Sequence, residues 1–271
     1  PLALWNRLRS RALRRLGHRL LHYQSAYALG LPVLRQALAE YLGESRGVKC
    51  DWTQVVITSG SQEALYLLSQ ILLKPGQSAL MEDPGYPGAK AAFLRAGAVL
   101  QSLPVDEHGA IPPSDAEGIS LIYTTPSRQF PTGASLPVTR RMALIEFARN
   151  NKAWLIEDDY DSEFRYSRPP LPAMHSLDAG QRTLYIGSMS KVLFPSLRIG
   201  YMVVPQSLLP AIEELRLIMN DHGPLIDQVT LADFLQSGAF YTHIRRCRKA
   251  YEARLDMLLT AVAKYSLPLT F

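Results

Sequence analysis

The chain has 271 residues, of which 47% are hydrophobic and 20% charged, and its formal net charge is +5. This is the composition of an ordinary globular protein with room for a large domain and a smaller one, and it excludes low-complexity and collagen-like chains. The longest apolar stretch, near residues 64–73, is interrupted by Ser69 and Gln70 and is too short to span a bilayer.

The chain contains two cysteines, Cys50 and Cys247, and their separation does not match a metal-binding motif. A single disulfide would be unusual in a chain of this size. We therefore expect reduced thiols and a cytoplasmic protein without a metal site.

The first predicted element is a basic segment with six arginines among its first 20 residues, well before the first acidic residue, Glu40. They are Arg7, Arg9, Arg11, Arg14, Arg15 and Arg19. The pattern is compatible with a nucleic-acid patch, a transit peptide or an amphipathic helix, and we favour the helix. Its inward-facing residues would be Leu4, Leu8, Leu13, Leu16 and Leu20.

Beyond a turn at residues 27–32, short apolar runs alternate with stretches of helical periodicity. The predicted helices are residues 33–42, 62–73, 88–96 and 139–150, followed by a helical region from 205 to 265. The predicted strands are residues 55–58, 78–81, 99–103, 120–124, 153–157, 183–187 and 199–204. This alternation predicts an α/β fold with a largely parallel sheet, whose chemistry gathers beyond the carboxyl ends of the strands.

The first candidate site is Gly60-Ser61-Gln62, where a strand turns into a helix. The exposed N–H groups and the positive end of the helix dipole suit a phosphate group, and the Ser61 hydroxyl adds a donor. The alternative is that Ser61 is an ordinary helix cap.

The second candidate is Asp158, which directly follows the predicted strand at residues 153–157. A carboxylate at this position can pair with a protonated ring nitrogen, and Tyr160 is near enough in the chain to contact the same ligand. The alternative is a solvated acidic loop.

The third candidate is Lys191, which follows the strand at residues 183–187. A desolvated lysine at a strand end can act as an amine nucleophile. Ser188, Ser190 and Arg198 would supply donors to a phosphate group. The alternative is that Lys191 is a surface residue.

Together, a phosphate turn, a ring-nitrogen carboxylate and a reactive lysine are the parts that pyridoxal phosphate (PLP) requires. Four motifs carry a more specific resemblance: Asp-Pro-Gly-Tyr-Pro-Gly (83–88), Pro-Ser-Arg-Gln-Phe-Pro-Thr-Gly (126–133), Glu-Asp-Asp-Tyr-Asp-Ser-Glu-Phe-Arg-Tyr (157–166) and Ser-Lys-Val-Leu-Phe-Pro-Ser-Leu-Arg-Ile-Gly-Tyr (190–201). They resemble fold-type I PLP-dependent enzymes, and most of all the aminotransferase-like domain of MocR-type regulators in the GntR superfamily.

The resemblance implies a fold-type I PLP-dependent transferase, an α/β fold whose mixed, mostly parallel sheet is flanked by helices, with the start of a smaller C-terminal α+β domain. The expected divisions are an N-terminal segment (1–45), the large PLP-binding domain (46–220), and an inter-domain helix with the beginning of the small domain (221–271). We also expect the chain to be part of a longer protein.

The resemblance also assigns roles to residues. PLP would be held as a Schiff base on Lys191, and Tyr86 would stack on its pyridine ring. Asp158 would keep the ring nitrogen protonated, Tyr160 would donate to the phenolic oxygen, and Asp159 would be the nearby solvated acid. The phosphate would be held by Gly60, Ser61, Gln62, Ser188, Ser190 and Arg198.

Three features depart from the family pattern. Phe130 occupies a position where aminotransferases commonly have Asn as a partner for the phenolic oxygen, so Tyr160 would have to compensate. Arg128 occupies a position where MocR-like domains often have His. The arginine that binds the substrate carboxylate is expected beyond residue 271, because Arg254 has the pattern of a helix-surface residue.

The predicted function is the PLP-binding effector domain of a MocR-type regulator, which senses an amino acid or amine. We expect a homodimer that uses the basic first helix and its leucine face, and DNA binding only through an N-terminal winged-helix module outside this chain. The alternatives are a stand-alone aminotransferase and another PLP chemistry, such as decarboxylation or racemisation. A winged helix encoded upstream would favour the regulator, and turnover of an amino donor with an oxo acid would favour the enzyme.

Overall fold

The computed structural model describes residues 2–115, 117–164 and 171–265. Two residues of the 157–166 motif, Arg165 and Tyr166, and the apolar end of the chain at 267–271 lie outside the described residues.

Strands of the described part form one mixed sheet with the order β1-β8-β7-β6-β5-β2-β3-β4. They are β1 (Val55–Thr58), β2 (Ser78–Asp83), β3 (Val99–Asp106), β4 (Gly109–Ala110), β5 (Ile119–Thr124), β6 (Trp154–Asp159), β7 (Thr183–Ser188) and β8 (Gly200–Val203). Strand β8 runs antiparallel to β1 and β7, β4 runs antiparallel to β3, and the remaining pairs are parallel. This confirms the predicted α/β architecture with a mostly parallel sheet.

Helices cover both faces of the sheet. They are α1 (Leu2–Leu16), α2 (Pro32–Arg46), α3 (Ser61–Leu72), α4 (Pro87–Arg95), α5 (Val138–Asn150), α6 (Met174–Leu177), α7 (Leu209–Met219), α8 (Leu225–Gln236) and α9 (Ala239–Lys264). Short 3₁₀ segments occur at Gly17–Leu21, Ser25–Tyr27, Trp52–Gln54, Pro195–Leu197 and Gln206–Leu208. The apolar side chains of α3, α4 and α7 pack on one face of the sheet, and those of α1, α2, α5, α8 and α9 pack on the other.

The predicted elements agree with the observed ones to within a few residues, apart from three differences. Strand β4 and the one-turn helix α6 were not predicted, because elements of two and four residues carry no periodic signal. Val204 lies beyond the end of β8. The helical region after residue 205 is three helices, since Pro224 and the left-handed Gly238 (φ 71°) separate them.

The basic first segment is a helix, as predicted, and it packs against α8. Its buried side chains repeat at three- and four-residue spacing: Trp5, Leu8, Ala12 and Leu16. Leu13 is one position off this stripe and is 50% exposed, so the prediction that it packs inward is wrong. The proposal that the leucine face of α1 forms a dimer contact is also wrong for Leu8 and Leu16, because both are already buried within the chain.

Two arginines of α1 are paired with acids of α8. Arg9 lies 3.2 Å from Asp227, and Arg15 lies 3.0 Å from Asp233. Exposed pairs of this kind contribute at most about 1 kcal/mol to stability. They nevertheless support the interpretation of α1 as the amphipathic cover of a core rather than a free basic patch.

The carboxyl ends of β1, β2, β5, β6 and β7 meet at one edge of the sheet, where the three candidate motifs also lie. Close packing of two glycines shapes this edge. A Cβ on Gly200, the first residue of β8, would lie 2.7 Å from the backbone of Gly60. Glycine is therefore required where the start of β8 meets the turn between β1 and α3.

None of the helices in the described residues combines the length and apolarity needed to cross a membrane. Cys50 and Cys247 are both free and half-buried.

Candidate functional site

A cavity of about 210 Å³ lies at the carboxyl edge of the sheet. Its walls are formed by Ser61, Tyr86, Tyr123, Thr125, Phe130, Asp158, Tyr160 and Lys191. The structure therefore brings five of the predicted site residues together, from motifs that are far apart in the sequence: Ser61, Tyr86, Asp158, Tyr160 and Lys191.

Asp158 is the buried acid of this cavity, with only 4% of its surface exposed. The Tyr123 hydroxyl donates a hydrogen bond of 2.8 Å to its Oδ2. Its Oδ1 is also buried and has no hydrogen-bond partner among the described residues. Burial raises the pKa of the Asp158 carboxyl to about 7. The site therefore contains an acceptor that lacks a donor.

The two acids beside Asp158 point to the opposite face of β6, because successive side chains of a strand alternate. Asp159 lies 2.8 Å from Arg46 and accepts a hydrogen bond of 2.7 Å from the Tyr185 hydroxyl. The prediction that Asp159 is solvated is wrong, since the residue is only 4% exposed. The error arises because β6 ends at Asp159, two residues later than predicted.

Glu157 is also buried on that opposite face. Its carboxyl accepts a 2.9 Å hydrogen bond from the His175 backbone N–H and lies 3.9 Å from the Arg141 guanidinium. Only the middle acid of the three faces the cavity.

Lys191 follows β7 and contributes its side chain to the cavity wall while remaining solvent-exposed. Its neighbours Met189 and Val192 are buried and anchor the loop in the core. The ring of His243 on α9 contacts the Val192 carbonyl through Nε2 at 2.8 Å. The loop that carries the lysine is therefore fixed from both the core and α9.

Tyr86 forms an aromatic wall. Its hydroxyl lies 3.3 Å from the Gln62 Oε1, and the Gln62 amide donates a 2.9 Å bond to the Gly88 carbonyl. Phe130 packs edge-on against the Tyr86 ring, with a centroid distance of 5.6 Å. Gln62 therefore orients Tyr86 from outside the wall.

Tyr160 reaches the cavity, and its hydroxyl donates a 2.9 Å bond to the Arg128 carbonyl. The Arg128 guanidinium lies 2.8 Å from Asp161 and donates to the Phe164 carbonyl at 2.9 Å. Since these contacts occupy its guanidinium, Arg128 serves here to hold the loop after β6.

The remaining predicted phosphate-binding residues lie beside the cavity. A Cβ on Gly60 would be 3.6 Å from the guanidinium nitrogens of Arg198, so this cation lies at the N-terminus of α3. The Ser190 backbone N–H donates a 3.1 Å bond to the Ser188 Oγ. The Arg198 guanidinium and the first turn of α3 are thus adjacent, which is an arrangement that suits an anion such as a phosphate group.

Sequence reasoning missed Tyr123 and Thr125 as site residues. Both lie near the end of β5, at the same edge as the predicted motifs, and this position was the signal that could have identified them. Thr125 is held by Glu82, a buried acid that accepts bonds from both its N–H (3.1 Å) and its hydroxyl (2.6 Å).

The raised pKa of Asp158 leads to a testable pH dependence of stability. Its folded value of about 7 exceeds the ordinary aspartate value near 4, so the folded chain holds a proton that the unfolded chain has lost between these pH values. The retained proton raises the free energy of unfolding. This stabilisation is fully present below pH 4 and falls by about 1.4 kcal/mol per pH unit as the pH rises toward 7. We expect Asp158→Asn to flatten the dependence of the unfolding free energy on pH in the cofactor-free chain.

Urea denaturation at several pH values between 5 and 7 measures this slope. The exposed Asp256 provides the control, because Asp256→Asn should leave the slope unchanged. An equal slope in wild type and Asp158→Asn would contradict the assignment.

Comparison with known proteins adds two findings. The profile of the family described as aminotransferase class I and II matches residues 11–270. The chain is also similar to regulatory proteins: it is 40% identical to the probable rhizopine catabolism regulatory protein MocR of Rhizobium meliloti over 98% of this chain and 54% of that protein. It is 39% identical to the HTH-type transcriptional regulator TauR of Rhodobacter capsulatus over 94% of this chain and 53% of that protein. The chain thus spans about half the length of these curated relatives.

Among solved structures, the chain resembles the kynurenine aminotransferase of Pyrococcus horikoshii in complex with PMP. The TM-score is 0.89 and the identity 29%, over 97% of this chain and 67% of that one.

Proposed function

Because this chain belongs to the class I and II aminotransferase family and is closely related to MocR-type regulators, we propose that it is the PLP-binding effector domain of such a regulator. In this proposal the domain holds PLP on Lys191 and senses an amino acid or amine. The two curated relatives named above are regulators and are 40% and 39% identical to this chain, whereas the kynurenine aminotransferase is 29% identical. This difference favours the proposal over a stand-alone aminotransferase.

The observation that carries the proposal is the buried Oδ1 of Asp158, which lacks a partner among the described residues in a cavity that also contains Lys191. A protonated pyridine nitrogen supplies the donor that this oxygen needs. A buried carboxylate paired with such a cation costs far less than an unpaired one. The residues present therefore fit the cofactor.

Each proposed role follows from the chemistry of the side chain. The Nζ of Lys191 would bond the cofactor covalently, and the face of Tyr86 would contact the flat ring. Tyr160 would turn its hydroxyl from the Arg128 carbonyl toward the phenolic oxygen, since Phe130 offers no donor there. The phosphate would be held by Gly60, Ser61, Gln62, Ser188, Ser190 and Arg198.

When bound, PLP supplies an electron sink for bonds at the α-carbon of an amine. The chain's own residues would supply the positioning: Asp158 would retain the proton on the ring nitrogen, and the Nζ of Lys191 would hold the cofactor in the cavity. A sensor needs this holding site and access for an amine. Transamination also requires the substrate carboxylate to be clamped so that the α-carbon is oriented, and such orientation lowers the barrier by several kcal/mol.

We further propose the division into residues 1–45, 46–220 and 221–271, with α9 as the inter-domain helix. We also propose a cytoplasmic homodimer that binds DNA through a module outside this chain. Support for the DNA module comes from the HTH-type regulator TauR, of whose length this chain covers 53%.

The experiment uses the complete gene product, loaded with PLP and incubated with single amino acids. A regulator is expected to change its cofactor absorbance and its DNA affinity with one amino acid or amine, without sustained turnover when a 2-oxo acid is added. Sustained amino transfer, with no effect on DNA binding, would identify the alternative, a stand-alone aminotransferase.

A further inference from the structure

A second cavity lies on the opposite face of the sheet from the cofactor site. Its volume is about 370 Å³, within the range of small-molecule pockets, which starts at about 300 Å³. Residues from α2, the loop after β6 and α9 line it, including Tyr41, Arg46, Glu163, Phe240, Ile244 and Arg248. We call it the α2–α9 cavity.

The α2–α9 cavity is separate from the cofactor site because strand β6 lies between them. Asp158 faces the cofactor site, whereas the next residue, Asp159, faces the other way and pairs with Arg46 in the wall of the α2–α9 cavity. Arg46 is also bound to the Ser127 hydroxyl at 2.9 Å and the Leu171 carbonyl at 3.2 Å. Its guanidinium is therefore committed to the protein and forms a fixed wall.

One side of the α2–α9 cavity offers an acid. The Tyr41 hydroxyl donates a 2.5 Å bond to the Glu163 Oε1. Burial raises the pKa of the Glu163 carboxyl to about 7. A carboxyl group in this state gains by taking up a cationic partner.

Two arginines close to this acid also line the cavity. Arg245 and Arg248 lie one turn apart on α9, and both line the cavity. Among the described residues, neither forms an ion pair with a carboxylate. Arg248 donates through Nε to the Glu163 backbone carbonyl, which fixes the guanidinium near the acid and leaves its terminal nitrogens available.

The rest of the lining consists of Phe240, Tyr241 and Ile244 together with the two serines Ser45 and Ser162. Phe240 and Ile244 are 0% and 5% exposed, and Tyr41 packs edge-on against Phe240 at 5.2 Å between centroids. An acid, a nearby guanidinium pair and an apolar floor match the three parts of an α-amino acid: its ammonium group, its carboxylate and an apolar side chain.

From this juxtaposition we propose that the α2–α9 cavity is a second ligand site, distinct from the cofactor site, that binds an α-amino acid with an apolar or aromatic side chain. Glu163 binds its ammonium group, Arg248 and Arg245 bind its carboxylate, and Ile244, in the apolar wall that Phe240 supports from behind, contacts its side chain. The carboxylate pairing has the charge-assisted geometry for which arginine is suited.

The test titrates L-phenylalanine into borohydride-treated protein at pH 8 and follows the heat of binding. If PLP is attached, the treatment reduces its imine with Lys191, so the added amino acid cannot react there. If no PLP is attached, Lys191 carries no imine with which the amino acid could react. The outcome is therefore independent of the proposed PLP chemistry. We expect 3-phenylpropanoate and 2-phenylethylamine, which each lack one charged group, to bind roughly tenfold or more weakly than L-phenylalanine.

Variants assign the two ends of the ligand. Glu163→Gln keeps an acceptor for Tyr41. It should weaken the binding of L-phenylalanine by roughly tenfold or more and leave the affinity for 3-phenylpropanoate unchanged. Arg248→Gln should weaken the binding of L-phenylalanine and of 3-phenylpropanoate, which both carry a carboxylate, and leave the affinity for 2-phenylethylamine unchanged. Arg254→Gln, an exposed position on the same helix, is the matched control.

Circular dichroism establishes that each variant is folded. The proposal is overturned if L-phenylalanine gives no heat at millimolar concentration. It is also overturned if Glu163→Gln and Arg248→Gln bind L-phenylalanine as tightly as wild type.

Discussion

Lys191→Ala is expected to abolish covalent attachment of PLP. Borohydride reduction of wild-type protein incubated with PLP should fix the cofactor to the single peptide that contains Lys191. The variant should give no such adduct, because no other lysine of the described residues lines the cavity. Mass spectrometry of the digested protein, together with the visible absorbance before reduction, measures the result.

The matched control is Lys74→Ala, an exposed lysine outside the site, which should label like wild type. Circular dichroism separates loss of the lysine from loss of the fold. An adduct at full yield in folded Lys191→Ala would refute the assignment.

The second large effect is a contrast between two neighbouring acids. Asp158→Asn should remove the charge that pairs with the ring nitrogen. Hydrogen bonds to charged groups contribute about 1.5–3 kcal/mol, so the dissociation constant for PLP should rise roughly 10- to 150-fold. Asp159→Asn should instead lower the unfolding free energy by about 3–5 kcal/mol, because it leaves Arg46 buried without its counter-charge.

Equilibrium binding of PLP and urea denaturation, applied to both variants, measure the two effects. Asp158→Asn should bind PLP more weakly, with little loss of stability at pH 7. Asp159→Asn should be less stable, and the folded fraction should keep its affinity for PLP. If only Asp159→Asn lost affinity, the assignments of the two acids would be exchanged.

Much of the sheet could be predicted because its strands are continuous apolar runs bounded by polar or glycine residues. Strand β1 is the clearest example: all four of its residues are buried, and its observed bounds are the predicted ones. Strand β6 was more difficult, because its last three residues are acidic. Acidic residues normally indicate a loop, and only the tertiary contacts with Arg46, Arg141 and Tyr123 explain their burial.

The candidate site was predictable where a motif combines a strand end with a distinctive side chain, as at Lys191 and Asp158. Tyr123 carries no motif, and its contact with Asp158 depends on the pairing of β5 with β6. The α2–α9 cavity was not predictable for the same reason. Glu163 and Arg248 lie far apart in the chain. Glu163 falls within the 157–166 motif, but the resemblance assigns no role to it, and Arg248 belongs to no motif.

The three consecutive acids of β6 also constrain how the sheet can assemble. If β6 paired with its neighbours one residue out of register, Glu157 and Asp159 would both enter the cofactor cavity, and Asp158 would replace them opposite Arg46 and Arg141. Two carboxylates would then repel each other in a small buried space, while two guanidinium groups would share one counter-charge. Many apolar strands tolerate a slipped register in a partly folded chain, but in β6 electrostatic repulsion disfavours the slip, so its charges select the correct alignment during folding.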